Sequence, residues 1–187
     1  MWWTSVNLMD TAEVNMALTK VTQGLFKDFV NKVLAVMQNH SNIFLATAKA
    51  ATGTFVDFDI PAGVKRVTVM FDGVSTNGTS MVQVQFGTPS GFEISGYFSG
   101  GSSGSSTTGV VLGGLSASDA RYGVLRVEKL AGETYIAVGQ NSSTTSNTPT
   151  NSFGKKTLSG TLDRIRITTV NDTDTFDAGT INVSWEF

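Results

Sequence analysis

The residues able to do acid–base or nucleophilic chemistry are few. His40 is the single histidine, and cysteine is absent. A Ser or Thr nucleophile needs a neighbouring base. His40 falls where a helix is expected to end, a place where a lone imidazole serves as a dipole partner or a solvated side chain. Without cysteine there are no thiol nucleophiles, thiolate metal sites or disulfides. Carboxylates remain. Glycoside hydrolysis needs two of them at a set separation, and Asp57, Asp59, Glu93, Asp119, Glu128, Glu133, Asp163 and Asp177 are the candidates. Most fall on the expected water-facing side of strands, and spacing along the chain does not place any pair at the required separation. The segment Asn171-Asp-Thr-Asp-Thr-Phe-Asp177 puts Asp172, Asp174 and Asp177 in one loop. Such oxygen-rich loops suit Ca2+. This one lacks the spacing and terminal Glu of an EF-hand, and Asp and Asn are equally ordinary turn residues. Gly100-Gly-Ser-Ser-Gly104 is followed by neither Lys-Ser/Thr nor a helix, so it is no phosphate loop. The expectation is a protein that is not an enzyme, with no cofactor and no assigned metal.

Binding chemistry is better represented. The chain has 187 residues, a formal net charge of −2 and only 15% charged residues. That balance gives no electrostatic footprint for nucleic acid. Ser, Thr, Asn and Gly fill the expected loops, a composition that suits neutral polar partners such as sugars. Phe92, Tyr97, Phe98, Tyr122 and Phe153 lie near those loops. Aromatic faces there stack on sugar rings, or else pack in the core or between subunits. The loops at 75–79, 99–108 and 141–151 are the candidate contacts. Trp2 and Trp3 are costly to leave in water and are expected to be buried in a partner, or against the protein's own helix.

These residues need elements to position them. Asp10 with Glu13 has the spacing of a capping box in its Asp variant. Val14, Leu18, Val21 and Leu25 then recur in a heptad-like seam, continued by Phe29 and Val33 and widened by Phe26 and Val30. The pattern predicts a helix over 11–38, kinked or broken near Gly24, and ended by Asn39-His40-Ser41-Asn42. Its apolar stripe either packs on the chain's own β domain or associates with other copies; a self-associating stem is favoured. A flexible Ala/Thr stretch from Ala46 to Gly53 is expected to follow.

Beyond residue 53 the period changes from helical to two. Val56, Phe58 and Ile60; Val67, Val69 and Phe71; Val82, Val84 and Phe86; Ile165 and Ile167; and Ile181, Val183 and Trp185 all alternate with polar neighbours. Further strands are expected at 93–98, 109–113, 123–130, 133–139 and 152–158, with a loop opening at Asp72-Gly73 and running through Asn77-Gly78. The run 99–109 (SGGSSGSSTTG) reads as low-complexity and flexible. Roughly eight or nine short strands with turn-rich connections predict an antiparallel β-sandwich, jelly-roll-like, preceded by an N-terminal α-helical stem. The division is 1–52 for anchor and stem and 53–187 for the β domain. No run of about 18 apolar residues crosses a membrane. Met1-Trp-Trp-Thr-Ser-Val-Asn-Leu8 has no basic n-region and is not expected to be a secretory signal.

Two long segments, VKRVTVMFDGVSTNGTS (64–80) and LDRIRITTVNDTDTFDAGTINVSWE (162–186), resemble a β-rich domain found at the C-terminus of tail-fibre and related virion proteins of tailed bacteriophages. The resemblance covers about 53–187 and brings no catalytic motif. It implies a homotrimer located in the virion, at the tail or baseplate. The N-terminal part would dock on other virion proteins, and the distal domain would meet a host surface glycan or protein, with a polysaccharide favoured. The alternative is a structural decoration, such as a head fibre or a cement or baseplate-associated protein, without receptor binding. A glycan depolymerase stands further back.

Overall fold

The structure is a computed structural model that describes residues 11–38, 43–102, 104–113, 116–117, 119–145 and 149–187. Asp10, the 39–42 segment with His40, and Trp2 and Trp3 lie outside the described residues. One helix, α1 (Thr11–Gln38), runs without interruption through Gly24. A Cβ at Gly24 would meet nothing within 4 Å, and the expected break there is absent.

The second compact unit begins at Ile43, ahead of residue 53. Its described residues form fourteen strands: β1 (Ile43–Leu45), β2 (Lys49–Ala50), β3 (Phe55–Asp59), β4 (Arg66–Thr76), β5 (Val82–Thr88), β6 (Gly91–Glu93), β7 (Phe98–Gly101), β8 (Gly104–Ser106), β9 (Val110–Val111), β10 (Arg121–Ala131), β11 (Thr134–Ser143), β12 (Thr150–Thr157), β13 (Arg164–Thr169) and β14 (Phe176–Glu186). All pair antiparallel. A nine-stranded sheet runs β1-β14-β4-β10-β11-β12-β7-β8, with β2 also on β14. A five-stranded sheet runs β3-β13-β5-β6, with β9 also on β5.

Period-two patterning explains the layers. Val67, Val69 and Phe71 of β4, Leu125 and Val127 of β10, and Ile181 and Val183 of β14 point inward from the larger sheet. They share one buried cluster with Val56 and Phe58 of β3, Val84 and Phe86 of β5, and Ile165 and Ile167 of β13. Trp185 is only partly buried there and stacks on Phe44 at 6.4 Å between ring centroids.

Four readings of the sequence need correction. The Ala46–Gly53 stretch is not a free linker. Ala46 N–H donates to Val183 O and Ala51 N–H to Gly179 O, and Ala51 is buried. Small residues suggest flexibility, yet here they let this edge lie flat on β14. Asp72-Gly73 does not end a strand either, since β4 continues to Thr76. A register shift on β14 between Ala178 and Thr180 absorbs the irregularity. Gly179 (φ +95°) faces the Gly73 backbone so closely that a Cβ there would overlap it. The expected strand at 93–98 is absent: residues 94–97 connect β6, which ends at Glu93, to β7, which begins at Phe98. Last, the described residues of the Gly/Ser run 99–109 fold as β7, β8 and the approach to β9 and seal the outer side of β5. There Gln83 Oε1 accepts from Ser106 Oγ at 3.2 Å and Thr108 Oγ1 at 2.9 Å, and Gln85 Nε2 donates to Thr108 O at 3.2 Å. Alternating Val and Gln in β5 therefore does not mean one wet face; all seven residues are buried.

Candidate functional site

Strand register decides where the loops meet. At one end of the β unit Ile43 pairs with Glu186, Glu186 with Arg66, and Arg66 with Glu128. At the other end Arg121 pairs with both Val74 and Ser143, Phe176 with Thr76, and Asn141 with Thr150. From Arg66 to Thr76 along β4 is roughly 30 Å at the rise of an extended strand. Backbone bonds tie the far end together: Asn77 N–H to Thr175 O at 2.9 Å, Ser102 N–H to Asn151 O at 3.1 Å, and Thr144 N–H to Ala120 O at 3.1 Å. The segments 75–79, the turn at Ser102 and the described parts of 141–151 thus converge at the end of the unit remote from Ile43, together with the 171–175 turn. Their side chains are mainly hydroxyls and amides.

That turn is closed on itself. Asn171 Oδ1 accepts from the Thr173 and Asp174 N–H groups, each at 3.1 Å. Asp174 accepts from Asn171 Nδ2 at 2.7 Å and Ser80 N–H at 2.9 Å. Those donors hold its carboxyl below the usual carboxylate range. Asp172 takes a positive φ of 56° and accepts from Thr168 Oγ1 at 3.3 Å, whereas Asp177 accepts from Ser75 Oγ. The three aspartates face three different partners. Among the described residues no group of three His, Cys, Asp or Glu side chains converges.

Beneath this end lies a side chain that the reading of the sequence passed over. Arg121 is 1% exposed. It donates to Leu112 O and Asn141 Oδ1, and to Gly113 O at 2.8 Å. Thr150 Oγ1 donates to the same Asn141 Oδ1 at 2.8 Å. Burial lowers the guanidinium pKa to about 10, against the attraction of Asp119. The signal was its parity: Arg121 stands four residues before Leu125 and six before Val127, on the inward face. The guanidinium takes over where the apolar core stops, and holds the 112–113 backbone under the loops.

The five aromatics singled out by sequence divide three ways. Tyr97 is core: it is 4% exposed, its hydroxyl accepts from Phe86 N–H at 2.6 Å, and burial pushes its ionisation up. Phe92 lies on the solvent side of the five-stranded sheet. There the Arg166 guanidinium sits 4.2 Å from its ring centroid and 4.0 Å from that of Phe55. Arg166 also binds Asp57 bidentately at 2.8 Å, so this ladder satisfies itself. Phe98, Tyr122 and Phe153 share the outer face of the nine-stranded sheet and are 70%, 46% and 49% exposed. Phe98 and Phe153 stand 6.1 Å apart. Gly100 gives Phe153 room to lie across β7, for a Cβ there would come within 2.9 Å of the ring.

Most of the remaining carboxylates considered for hydrolysis are held by cations. Glu128 shares Arg66 with Glu186, Glu133 takes Lys129, Asp163 takes Arg164, and Glu93 takes Lys156 at 2.6 Å. Asp119 accepts from Ser116, and Asp59 is exposed. Around Glu93 burial works to raise the pKa. The Lys156 ammonium and the Ser159 N–H and O–H outweigh it and hold the carboxyl below its ordinary range. A lowered folded-state pKa means that the unfolded chain takes up the proton first. The stabilisation from Glu93 is therefore present at neutral pH and drains away as pH falls through and below the ordinary carboxylate range. Glu93→Gln is expected to lower the urea midpoint at pH 7 and to leave it nearly unchanged at pH 3; equal losses at both would contradict this.

Comparison of the chain with protein-family models, with curated proteins and with solved structures finds no match. No helix among the described residues is long and apolar enough to cross a membrane.

Proposed function

We propose that this chain is a homotrimeric fibre protein of a tailed-phage virion. A helical stem associates through Val21, Leu25 and Phe29, joined by Val14, Leu18 and Val33. The jelly-roll-like β-sandwich head touches the host surface, and Trp2 and Trp3 anchor the chain to other virion proteins. The observation that carries the reading is the gathering of the three loop segments at the end of the head remote from Ile43, where the chain enters it. An attachment protein needs its contact surface there. The chemistry also fits: neutral hydroxyl and amide groups on a rigid sheet end recognise a polyhydroxylated chain such as a surface polysaccharide without a field of charge. The engagement of most carboxylates by structural partners supports binding rather than glycan hydrolysis.

The test is adsorption. In a phage whose virions carry the full chain, Thr144, Thr145 and Asn151 are replaced together by Ala. Particle yield should be unchanged while adsorption to host cells falls about tenfold or more, as expected when several contact hydrogen bonds of about 0.5–1.5 kcal/mol each are lost. Purified host polysaccharide should compete with the unmodified phage. Unchanged adsorption together with no competition would sink the receptor reading.

A further inference from the structure

The outer face of the nine-stranded sheet is unusual for a surface meant to stay in water. Period two makes β10, β11 and β12 present every second residue outward, and on this face large apolar side chains stand among the polar ones. Val124 is 40% exposed, Ile136 39% and Val138 59%, beside Phe98, Phe153 and Tyr122. Across the strands apolar and charged residues meet: Val138 pairs with Arg126 on one side and Phe153 on the other, and Ile136 with Glu128 and Lys155. Together the exposed parts amount to roughly 500 Å2, at the upper end of the largest patch on an ordinary monomer. A groove of about 340 Å3 runs between Val124, Ile136 and Val138, floored by Gly139.

The charges on this face are unbalanced in a telling way. Arg126 and Lys155 are exposed amid the apolar residues, and among the described residues neither has an ion-pair partner. On the same face Glu128 and Glu186 share the single Arg66, at 3.1 and 2.9 Å. The part of the face around Val138 thus has cations in excess, while Lys65 lines the same groove as Arg66, Glu128 and Glu186. A second copy of the same face supplies carboxylates to the cation-rich part. It also supplies an aromatic projection, Phe98 with Phe153, to set against the groove.

We infer that this face packs against a second copy of the chain, so that the heads of the assembly touch through their sheets as well as through their stems. The inference rests on the stem association proposed above, which holds the heads at high local concentration. A patch of this size, with its charged rim, approaches the roughly 800 Å2 per partner of a standard interface. Phe98, Tyr122 and Phe153 then belong to intersubunit packing, and receptor contact is left to the loops.

The absence of cysteine allows a clean probe. Val138→Cys on the face and Ser90→Cys, on an exposed turn outside it, are made separately in the full chain. Maleimide labelling is timed at a concentration where sedimentation reports the assembled form. Cys at 138 should react at least tenfold more slowly than Cys at 90. The protection should vanish when Val21→Asp and Leu25→Asp are added. Equal rates in the assembled chain overturn the inference and leave the stem reading standing. Protection that persists in the dissociated variant means that the chain's own segment covers the face, and also overturns it. A chain that sediments as a monomer at micromolar concentration overturns both readings.

Discussion

Replacing Arg121 by Leu should lower the unfolding free energy by about 1–3 kcal/mol. Two effects oppose each other. Removing the guanidinium orphans Leu112 O and Gly113 O and takes one donor from Asn141 Oδ1. Each buried acceptor left unmatched costs about 1–3 kcal/mol. Against this, burial of the charge is itself unfavourable, as the lowered pKa of about 10 attests, and its relief is worth about 3 kcal/mol at 1.36 kcal/mol per unit. Several acceptors outweigh one desolvated cation, so the net change is a loss. Arg121→Lys keeps the charge but not the planar fork that reaches the acceptors together, and should fall between. Urea denaturation of the three proteins decides the matter. A Leu variant at least as stable as the parent would mean that this arginine is tolerated rather than required, as some buried ion pairs are.

The second large effect is on assembly. Val21 and Leu25 are 57% and 65% exposed on α1, with Phe26 at 69% and Phe29 at 64%. Val14, Leu18 and Val33 lie on the same helix, but their side chains fall outside the described residues. A stripe of this kind on a long helix is stabilised by burial against other helices rather than by propensity alone. Val21→Asp with Leu25→Asp puts two carboxylates into that seam. Burying a side chain of this type is worth about 1.5–3 kcal/mol per chain, and in the proposed trimer three chains lose it together. The variant should sediment as a monomer of 19.8 kDa at concentrations where the parent is trimeric, with the β unit still folded by circular dichroism. A parent that is itself monomeric would contradict the stem.

Much of the β unit was readable because one-sided burial imprints period two on the chain. Val67, Val69 and Phe71, or Ile181 and Val183, need no structure to be assigned inward. The failures share a cause: burial achieved by polar or small residues. Gln83 and Gln85 look solvent-facing until the Ser and Thr side chains of 106–108 cover them. Ala51 looks like linker until its N–H finds Gly179. Arg121 looks like a surface cation until its parity with Leu125 is noticed. Of the site, the aromatics and loops could be named but not sorted. Tyr97 entered the core because the irregular connection between β6 and β7 breaks the strand count that would have placed it. The meeting of 75–79 with 171–175 depends on pairing between β4 and β14, strands separated by nearly the whole β unit. No local pattern carries that information.

The most direct measurement is the position of the chain on the particle. Virions carrying the full-length protein are labelled with an antibody raised against the β unit and viewed by electron microscopy. A fibre protein that meets the host puts the label at the end of the tail or on its baseplate, standing away from the particle. Label confined to the capsid, or virions that carry none, would contradict the attachment role.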